Sequence, residues 1–261
     1  MPFRIILSKI VLLAFGLRFI FAQVDVIGDQ NFLFMQNNNE INLPFFSNQS
    51  LDTPNDIVQK AVIVIHGANR NADDYYNSIY NNASDLDVLS ETIIIAPQFL
   101  ITADLNHWQP STEFAFWSGT TSWSSGGLSN STNEHPRDYE ISSYTIMDSL
   151  IAHLLTIYPN IQDIALAGNS AGGQFVNRYA AGSDQEGEGK IRYIVSAPSS
   201  YVYMDEYRYS EYLFPIVWQL PENCEGYNDY KYGLEDLNHY MSLMGVDSIR
   251  ERYSRRKIQY L

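Results

Sequence analysis

The chain has 261 residues, a length that suits one α/β domain with its own hydrophobic core. Its 30 acidic and 16 basic residues give a net charge of −14. This charge argues against a nucleic acid or an anionic membrane as the main partner, because binding to phosphates needs a basic surface.

Residues 1–22 are typical of a signal peptide. Arg4 and Lys9 form a basic start, an apolar stretch follows, and Ala22 is a small residue suited to cleavage. An uncleaved anchor and a buried helix are the alternatives. No other stretch approaches the roughly 18 apolar residues of a membrane span, so we expect none in the mature chain. The predicted domain therefore covers residues 23–261.

Three Asn-X-Ser/Thr sequons support export of the chain. The candidate N-glycosylation sites are Asn48, Asn82 and Asn130. Together with the leader, they predict a secreted protein or one of the secretory pathway. Cys224 is the only cysteine, which is unusual for an exported protein and offers no metal site. We expect neither a metal nor a cofactor.

Short apolar runs alternate with helical spacing along most of the chain. The predicted strands lie at residues 32–35, 41–46, 61–65, 92–96, 164–167, 191–197 and 257–261. The predicted helices lie at residues 73–84, 141–158, 171–182, 235–244 and 248–256. We expect the first two strands to be antiparallel. From residue 61 to 197, the alternation of strands and helices predicts a parallel sheet with functional groups at the carboxyl ends of its strands.

Two stretches break this alternation. Residues 98–141 are predicted to form a long irregular insertion, of the kind that is either functional or loosely ordered. Residues 199–236 are rich in tyrosine, and we interpret them either as a cap over the site or as a loop packed by its own rings. The basic run at residues 250–257 is predicted to be a solvated helix face.

Residues 164–181 carry the clearest chemical signal in the sequence. An apolar strand runs into G-N-S-A-G and then into a helix rich in small residues, an arrangement typical of a nucleophile elbow. Ser170 stands at the tip of the turn, and Gly168 and Gly172 relieve the crowding around it. The helix that follows offers free N–H groups to a developing negative charge. The alternative is a glycine-rich turn with an incidental serine.

The strand A-V-I-V-I-H-G at residues 61–67 and the elbow G-N-S-A-G at 168–172 resemble the α/β-hydrolase fold. Motifs at 196–205 and 226–238 resemble a secreted branch of these hydrolases. The resemblance covers about residues 58–261. It implies a three-layer α/β sandwich with a mostly parallel central sheet, incomplete at its C-terminal end.

The resemblance also implies a serine hydrolase acting on ester-type bonds. Ser170 would attack the carbonyl of a small-molecule or lipid-like ester. The backbone N–H groups of Ala68 and Ala171 would hold the oxyanion, and His66 and Gly67 would shape the loop that carries Ala68. A serine peptidase on the same fold is a further alternative.

In such hydrolases the acid and the histidine follow the nucleophile in the chain. Both positions are expected beyond Leu261, which predicts a truncated chain that is inactive as written. One alternative recruits His239 as the base. Its acid would then be Asp205, Asp229 or Asp236. Another alternative is a non-catalytic binding protein with the same fold.

Overall fold

The structure is a computed structural model that describes residues 23–119, 122–185, 187–209 and 217–261. The predicted signal peptide lies outside the described residues, as do residues 210–216 of the tyrosine-rich segment.

The described residues form eleven β-strands and six α-helices. The strands are Gln30–Gln36 (β1), Asn39–Ser47 (β2), Lys60–Ile65 (β3), Thr92–Pro97 (β4), Leu100–Ile101 (β5), Phe116–Trp117 (β6), Asp163–Asn169 (β7), Ile191–Ser196 (β8), Arg208–Tyr209 (β9), Trp218–Gln219 (β10) and Lys257–Tyr260 (β11). The helices are Ala72–Asp85 (α1), Thr102–Trp108 (α2), Ser143–Ile157 (α3), Ala171–Gly182 (α4), His239–Met244 (α5) and Val246–Arg255 (α6).

Seven of the strands form one central sheet in the order β1-β2-β4-β3-β7-β8-β11. The pairings from β4 to β11 are parallel, whereas β1 and β2 are antiparallel to their neighbours. The predicted mostly parallel sheet, its antiparallel start and the central place of β3 are confirmed. Each parallel connection needs a crossover, and α1, α3 and α4 supply crossovers between central strands.

Helices cover both faces of this sheet, which gives the expected three layers. Residues of one strand alternate between the two faces. On one face, Val64 and Ala96 pack against Ala72 of α1. On the other face, neighbouring residues such as Ile63 and Ile95 join a larger core with α3, α4 and α6. Because both faces are covered, β4 is buried along its whole length, as its apolar sequence indicates.

The helix α4 is enclosed more completely than the others. All twelve of its residues are buried. The tyrosine-rich segment contributes to this enclosure, since the Arg178 side chain donates hydrogen bonds to the Lys231 carbonyl and the Ser200 hydroxyl. Arg208 of the same segment lies over the rings of Tyr203 and Tyr227, 4.0 and 5.2 Å from their centroids.

Three sequence predictions need correction. The insertion at 98–141 is not irregular throughout, because it holds α2 and the β5–β6 pair, and Trp117 and Trp123 are fully buried. The helix predicted from residue 235 begins only at His239, since the Asn238 side chain caps it by accepting the Met241 N–H at 2.9 Å.

The basic run at 250–257 is not a solvated face throughout. Arg256 donates to the Ala180 carbonyl at 2.5 Å and to the Ser183 carbonyl, and Arg252 donates to the same Ser183 carbonyl at 3.2 Å. These acceptors lie at the C-terminal end of α4, where helix carbonyls have no intrahelical partner. Two arginines therefore stabilise the end of the helix that begins at the predicted elbow.

No helix in the described ranges is both long enough and apolar enough to cross a membrane.

Candidate active site

A strand, a tight turn and a helix lie where the sequence predicts a nucleophile elbow. Strand β7 ends at Asn169, Ser170 adopts φ 57° and ψ −119°, and α4 begins at Ala171. A non-glycine residue in such a conformation costs about 1–3 kcal/mol, so the surrounding structure must hold it. The Ser170 N–H donates to the Ser196 carbonyl of β8 at 3.1 Å, which ties the turn to the next strand. Ser170 is half-buried.

The glycines of the turn are required by close backbone packing. A Cβ on Gly168 would stand 2.2 Å from the Gly172 carbonyl oxygen. A Cβ on Gly172 would stand 2.1 Å from the Ile65 carbonyl oxygen. A side chain larger than that of glycine would therefore require a backbone shift at either position. For Gly172, the crowding comes from the backbone of the neighbouring strand β3.

The loop after β3 meets the elbow directly. Ile65 is paired with Gly168 across the parallel ladder, so both strands end at the same level of the sheet. A Cβ on Gly67 would stand 3.8 Å from the Ser170 Cβ. The H-G motif and the elbow, which lie a hundred residues apart in the sequence, thus form one site.

His66 has a structural place in this loop. Its ring is fully buried, Nε2 accepts the Phe99 N–H at 2.9 Å, and Nδ1 lies 2.9 Å from the Gly67 carbonyl. Since Nε2 accepts, the proton is on Nδ1, which donates to Gly67. Burial is the main cause that lowers the pKa of His66 from 6.5 to about 4, so the ring is neutral near pH 7. These contacts hold the ring between the loop after β3 and the segment after β4.

A buried ion pair holds the same loop from the other side. The Arg70 Nε donates to Asp104 Oδ2 at 2.8 Å and Nη2 donates to Oδ1 at 3.1 Å. Arg70 Nη1 also donates to the Ala68 carbonyl at 2.8 Å. The Arg70 backbone carbonyl accepts the Gln98 amide at 2.8 Å. The backbone of the Gly67–Arg70 turn is therefore fixed by side chains that are themselves buried.

The two predicted oxyanion donors belong to the two segments that meet at Ser170. Ala171 is the first residue of α4, and N–H groups in the first turn of a helix have no intrahelical acceptor. Ala68 is exposed in the turn after β3. The Ala171 N–H is thus available at a helix N-terminus, and the Ala68 N–H belongs to an exposed turn.

All five histidines of the chain lie within the described residues, and none hydrogen-bonds Ser170. His66 is occupied as described. His135 bonds the Asn106 side chain, and His153 bonds the Leu51 carbonyl. His107 is exposed beside the ring of Trp108. The Ser170 hydroxyl itself has no hydrogen-bond partner in the part of the chain that the structure describes.

His239, the alternative base, is exposed at the first position of α5. The next residues of α5 pack at the far end of α4. Tyr240 donates to Asp148 at 2.7 Å, and Met241 packs beside Gly182. The twelve residues of α4 span roughly 18 Å from the Ser170 end. Among the described residues, no side-chain hydrogen bond joins His239 to Ser170 or to its candidate acids Asp205, Asp229 and Asp236.

Sequence reasoning did not single out Arg70, which belongs to the loop after β3, or Asp104 and Tyr75, which contact that loop. Asp104 lies in the insertion that was predicted to be irregular, so no pattern pointed to it. The one available signal for this buried ion pair was a charged residue shortly after the H-G motif, namely Arg70. Among the described residues no cluster of three or more His, Cys, Asp or Glu side chains could hold a metal ion, and Cys224 is exposed and unpaired.

Comparison with known proteins supports the architecture. No protein-family model matches the sequence, and no curated protein matches it. A poly(aspartic acid) hydrolase-1 from Sphingomonas sp. KT-1 is similar in structure, with a TM-score of 0.51 and 18% identity over 92% of this chain and 71% of that chain. A poly(3-hydroxybutyrate) depolymerase from Bordetella parapertussis is 18% identical over 88% of this chain and 82% of that chain, with a TM-score of 0.45. Together with the sheet order and the turn at Ser170, the first likeness shows that the chain has the α/β-hydrolase fold.

Proposed function

We propose that this protein is a serine hydrolase that cleaves ester-type bonds of a small-molecule or lipid-like substrate. The observation that carries the proposal is the Ser170 turn, held at φ 57° between a parallel strand and a buried helix. A strained serine beside free backbone N–H groups is the arrangement that nucleophilic acyl transfer needs.

The chemistry follows from this arrangement. The Ser170 hydroxyl adds to the ester carbonyl and gives up its proton to a base, and the carbonyl oxygen becomes an oxyanion. The Ala68 and Ala171 N–H groups stabilise that charge. The alcohol leaves with a proton, and water then releases the acid from the acyl-serine. Removal of one donor from an oxyanion hole typically lowers kcat by about 10²–10³.

The described residues do not pair a base with Ser170, since none of the five histidines hydrogen-bonds its hydroxyl. We propose that the base and its acid come from residues after Leu261. The C-terminal strand β11 is paired in parallel with β8, and β8 is paired with β7, the strand that ends just before Ser170. Residues that follow β11 would emerge at the carboxyl edge of the sheet, where Ser170 also lies.

The second candidate function is binding without catalysis. The unpartnered Ser170 hydroxyl favours it, because a serine without a base is a weak nucleophile. The exposed rings of Tyr209 and Trp218 on the β9–β10 pair would then contribute to a binding surface.

Labelling with a fluorophosphonate probe separates the two functions. We expect labelling of the chain extended beyond Leu261, its loss in Ser170→Ala, and its retention in Ser254→Ala, an exposed serine on α6. The 261-residue chain is expected to label slowly or not at all. A folded, extended chain that never labels at Ser170 would favour the binding protein.

We also propose that the protein passes through the secretory pathway. Asn82 is exposed on α1, where its amide donates to the Ser78 carbonyl of the same helix at 2.8 Å, and Asn130 is half-buried at the surface. Both can carry a glycan. The Asn48 side chain is held by two bonds to β4, because it donates to the Thr92 carbonyl at 2.9 Å and accepts the Ile94 N–H at 2.8 Å. Among the described residues, it is the most tightly held of the three sequon side chains. Mass spectrometry of protein secreted from a eukaryotic host would show which sequons are occupied.

A further inference from the structure

Tyr75 is a residue of α1 whose ring is packed, while its hydroxyl has no hydrogen-bond partner among the described residues. The ring packs against the cluster of Val64, Ala72 and Ala96, on the face of the sheet that α1 covers. Tyr75 is half-buried. Packing thus fixes the direction of the phenol, since a tyrosine side chain has few rotamers to choose from.

The hydroxyl of Tyr75 lies beside the nucleophile. A Cβ on Gly67 would stand 2.9 Å from the Tyr75 hydroxyl oxygen and 3.8 Å from the Ser170 Cβ. Both groups therefore flank the same side of Gly67. Gly67 itself precedes the predicted donor Ala68 in the loop after β3.

This hydroxyl has no hydrogen-bond partner among the described residues. Other well-packed tyrosines differ in this respect, because Tyr179 and Tyr240 donate to Asp148, and Tyr230 donates to the Ser125 carbonyl. A phenol whose ring is packed and whose hydroxyl has no hydrogen-bond partner is a preorganised donor. The group it can serve is a ligand at Ser170.

Resting on the serine hydrolase proposed above, we propose that the Tyr75 hydroxyl donates a hydrogen bond to the oxyanion formed at Ser170. It would be a side-chain donor beside the two backbone donors Ala68 and Ala171. The ligand chemistry that it recognises is an anionic oxygen on a tetrahedral carbon or phosphorus centre. No proton is transferred in this role, because the phenol only shares its hydrogen.

Binding of a stable tetrahedral anion tests this role without the need for a base. Monoethyl phenylphosphonate presents an anionic oxygen to the donors, and its Kd can be measured by calorimetry. We expect Tyr75→Phe to weaken binding by about tenfold, since a hydrogen bond to a charged group is lost. Tyr80→Phe, which removes a hydroxyl from the same helix five residues further on, is the matched control and should leave the Kd unchanged.

Thermal unfolding distinguishes contact from a structural role. Because the Tyr75 hydroxyl bonds no described residue, Tyr75→Phe should melt at the same temperature as the unmodified protein. Phosphonate binding that is equal in Tyr75→Phe and in the unmodified protein would overturn the inference and leave the hydrolase intact. No phosphonate binding by the unmodified protein, together with no fluorophosphonate labelling of the extended chain, would overturn both.

Discussion

Arg70 and Asp104 form a two-point ion pair whose side chains are only 2% and 0% exposed. Asp104 also accepts the Val24 N–H at 3.0 Å and the Ile101 N–H at 2.8 Å. One carboxylate thus joins the N-terminal segment, the loop after β3 and the start of α2. These bonds tie the loop beside Ser170 to two other segments, so the loop is braced before any ligand arrives.

Replacing Arg70 by methionine should destabilise the protein by about 3–5 kcal/mol, because it leaves the Asp104 carboxylate buried without a countercharge. The matched control is Arg192→Met, which breaks a similar two-point pair with Asp163 whose side chains are 45% and 38% exposed. An exposed pair contributes about 0–1 kcal/mol. Urea unfolding of the two variants measures the difference, and equal losses would contradict the bracing role of Arg70.

Replacing Gly172 by alanine should disrupt the elbow. The added Cβ would meet the carbonyl oxygens of Ile65 at 2.1 Å and His66 at 2.7 Å, and backbone atoms cannot move aside as a flexible side chain can. Overpacking of this kind costs about 1–3 kcal/mol or more. Gly119→Ala is the control, since nothing lies within 4 Å of its Cβ position. We expect a lower Tm only for Gly172→Ala, together with a loss of probe labelling at Ser170.

His66 should make stability depend on pH between about 6.5 and 4. Burial lowers its pKa to about 4 in the folded protein, whereas the unfolded chain has the ordinary value of 6.5. As the pH falls through this window, the unfolded state binds a proton that the folded state does not. The free energy of unfolding therefore decreases, by at most about 1.4 kcal/mol per pH unit, and levels off below pH 4.

The pH effect of His66 is isolated by comparing variants. Urea unfolding between pH 4 and 7 should show a shallower dependence for His66→Gln than for the unmodified protein. His107→Gln, which changes an exposed histidine, should keep the original dependence. Parallel curves for all three proteins would mean that His66 binds its proton as readily in the folded state as in the unfolded one.

Arg256→Gln should destabilise the protein more than Arg255→Gln, although the two residues are adjacent. Arg256 donates to carbonyls at the C-terminal end of α4, where a cation also interacts favourably with the helix dipole. Its loss should cost about 1–2 kcal/mol. Arg255 is exposed and only approaches Glu251 at 3.7 Å, so its loss should stay within about 0.5 kcal/mol. Denaturant midpoints of the two variants give the comparison.

Local pattern was sufficient for the elements that are buried on both faces. The apolar runs that became β3, β4 and β7 were predicted within a residue or two of their bounds. In β3 and β4, valine and isoleucine follow one another, as is typical of strands that are covered on both faces. Residues 98–141 were harder to predict. Trp117 and Trp123 are buried there by contacts with Phe99, which no local period announces.

The tyrosine-rich segment shows the same limit. Its packing on α4 depends on Arg178, which donates to Lys231 and Ser200 from a different part of the chain. Within the segment, Arg208 lies over Tyr203 and Tyr227, and no regular spacing of the rings indicates that arrangement. The basic run at 250–257 looked solvated for a related reason. Nothing in its own sequence shows that the end of α4 lies within reach of Arg252 and Arg256.

The sequence by itself determined the fold class and the candidate nucleophile, because strand and helix periods and the G-N-S-A-G turn are local properties of the chain. Only the tertiary structure decided what surrounds Ser170. It brought Gly67 against the serine and the Tyr75 hydroxyl beside Gly67, and it braced the loop after β3 with Arg70 and Asp104. It also placed every histidine of the chain out of hydrogen-bond contact with Ser170. These relations arise from the parallel pairing of β3 with β7, which joins residues a hundred positions apart.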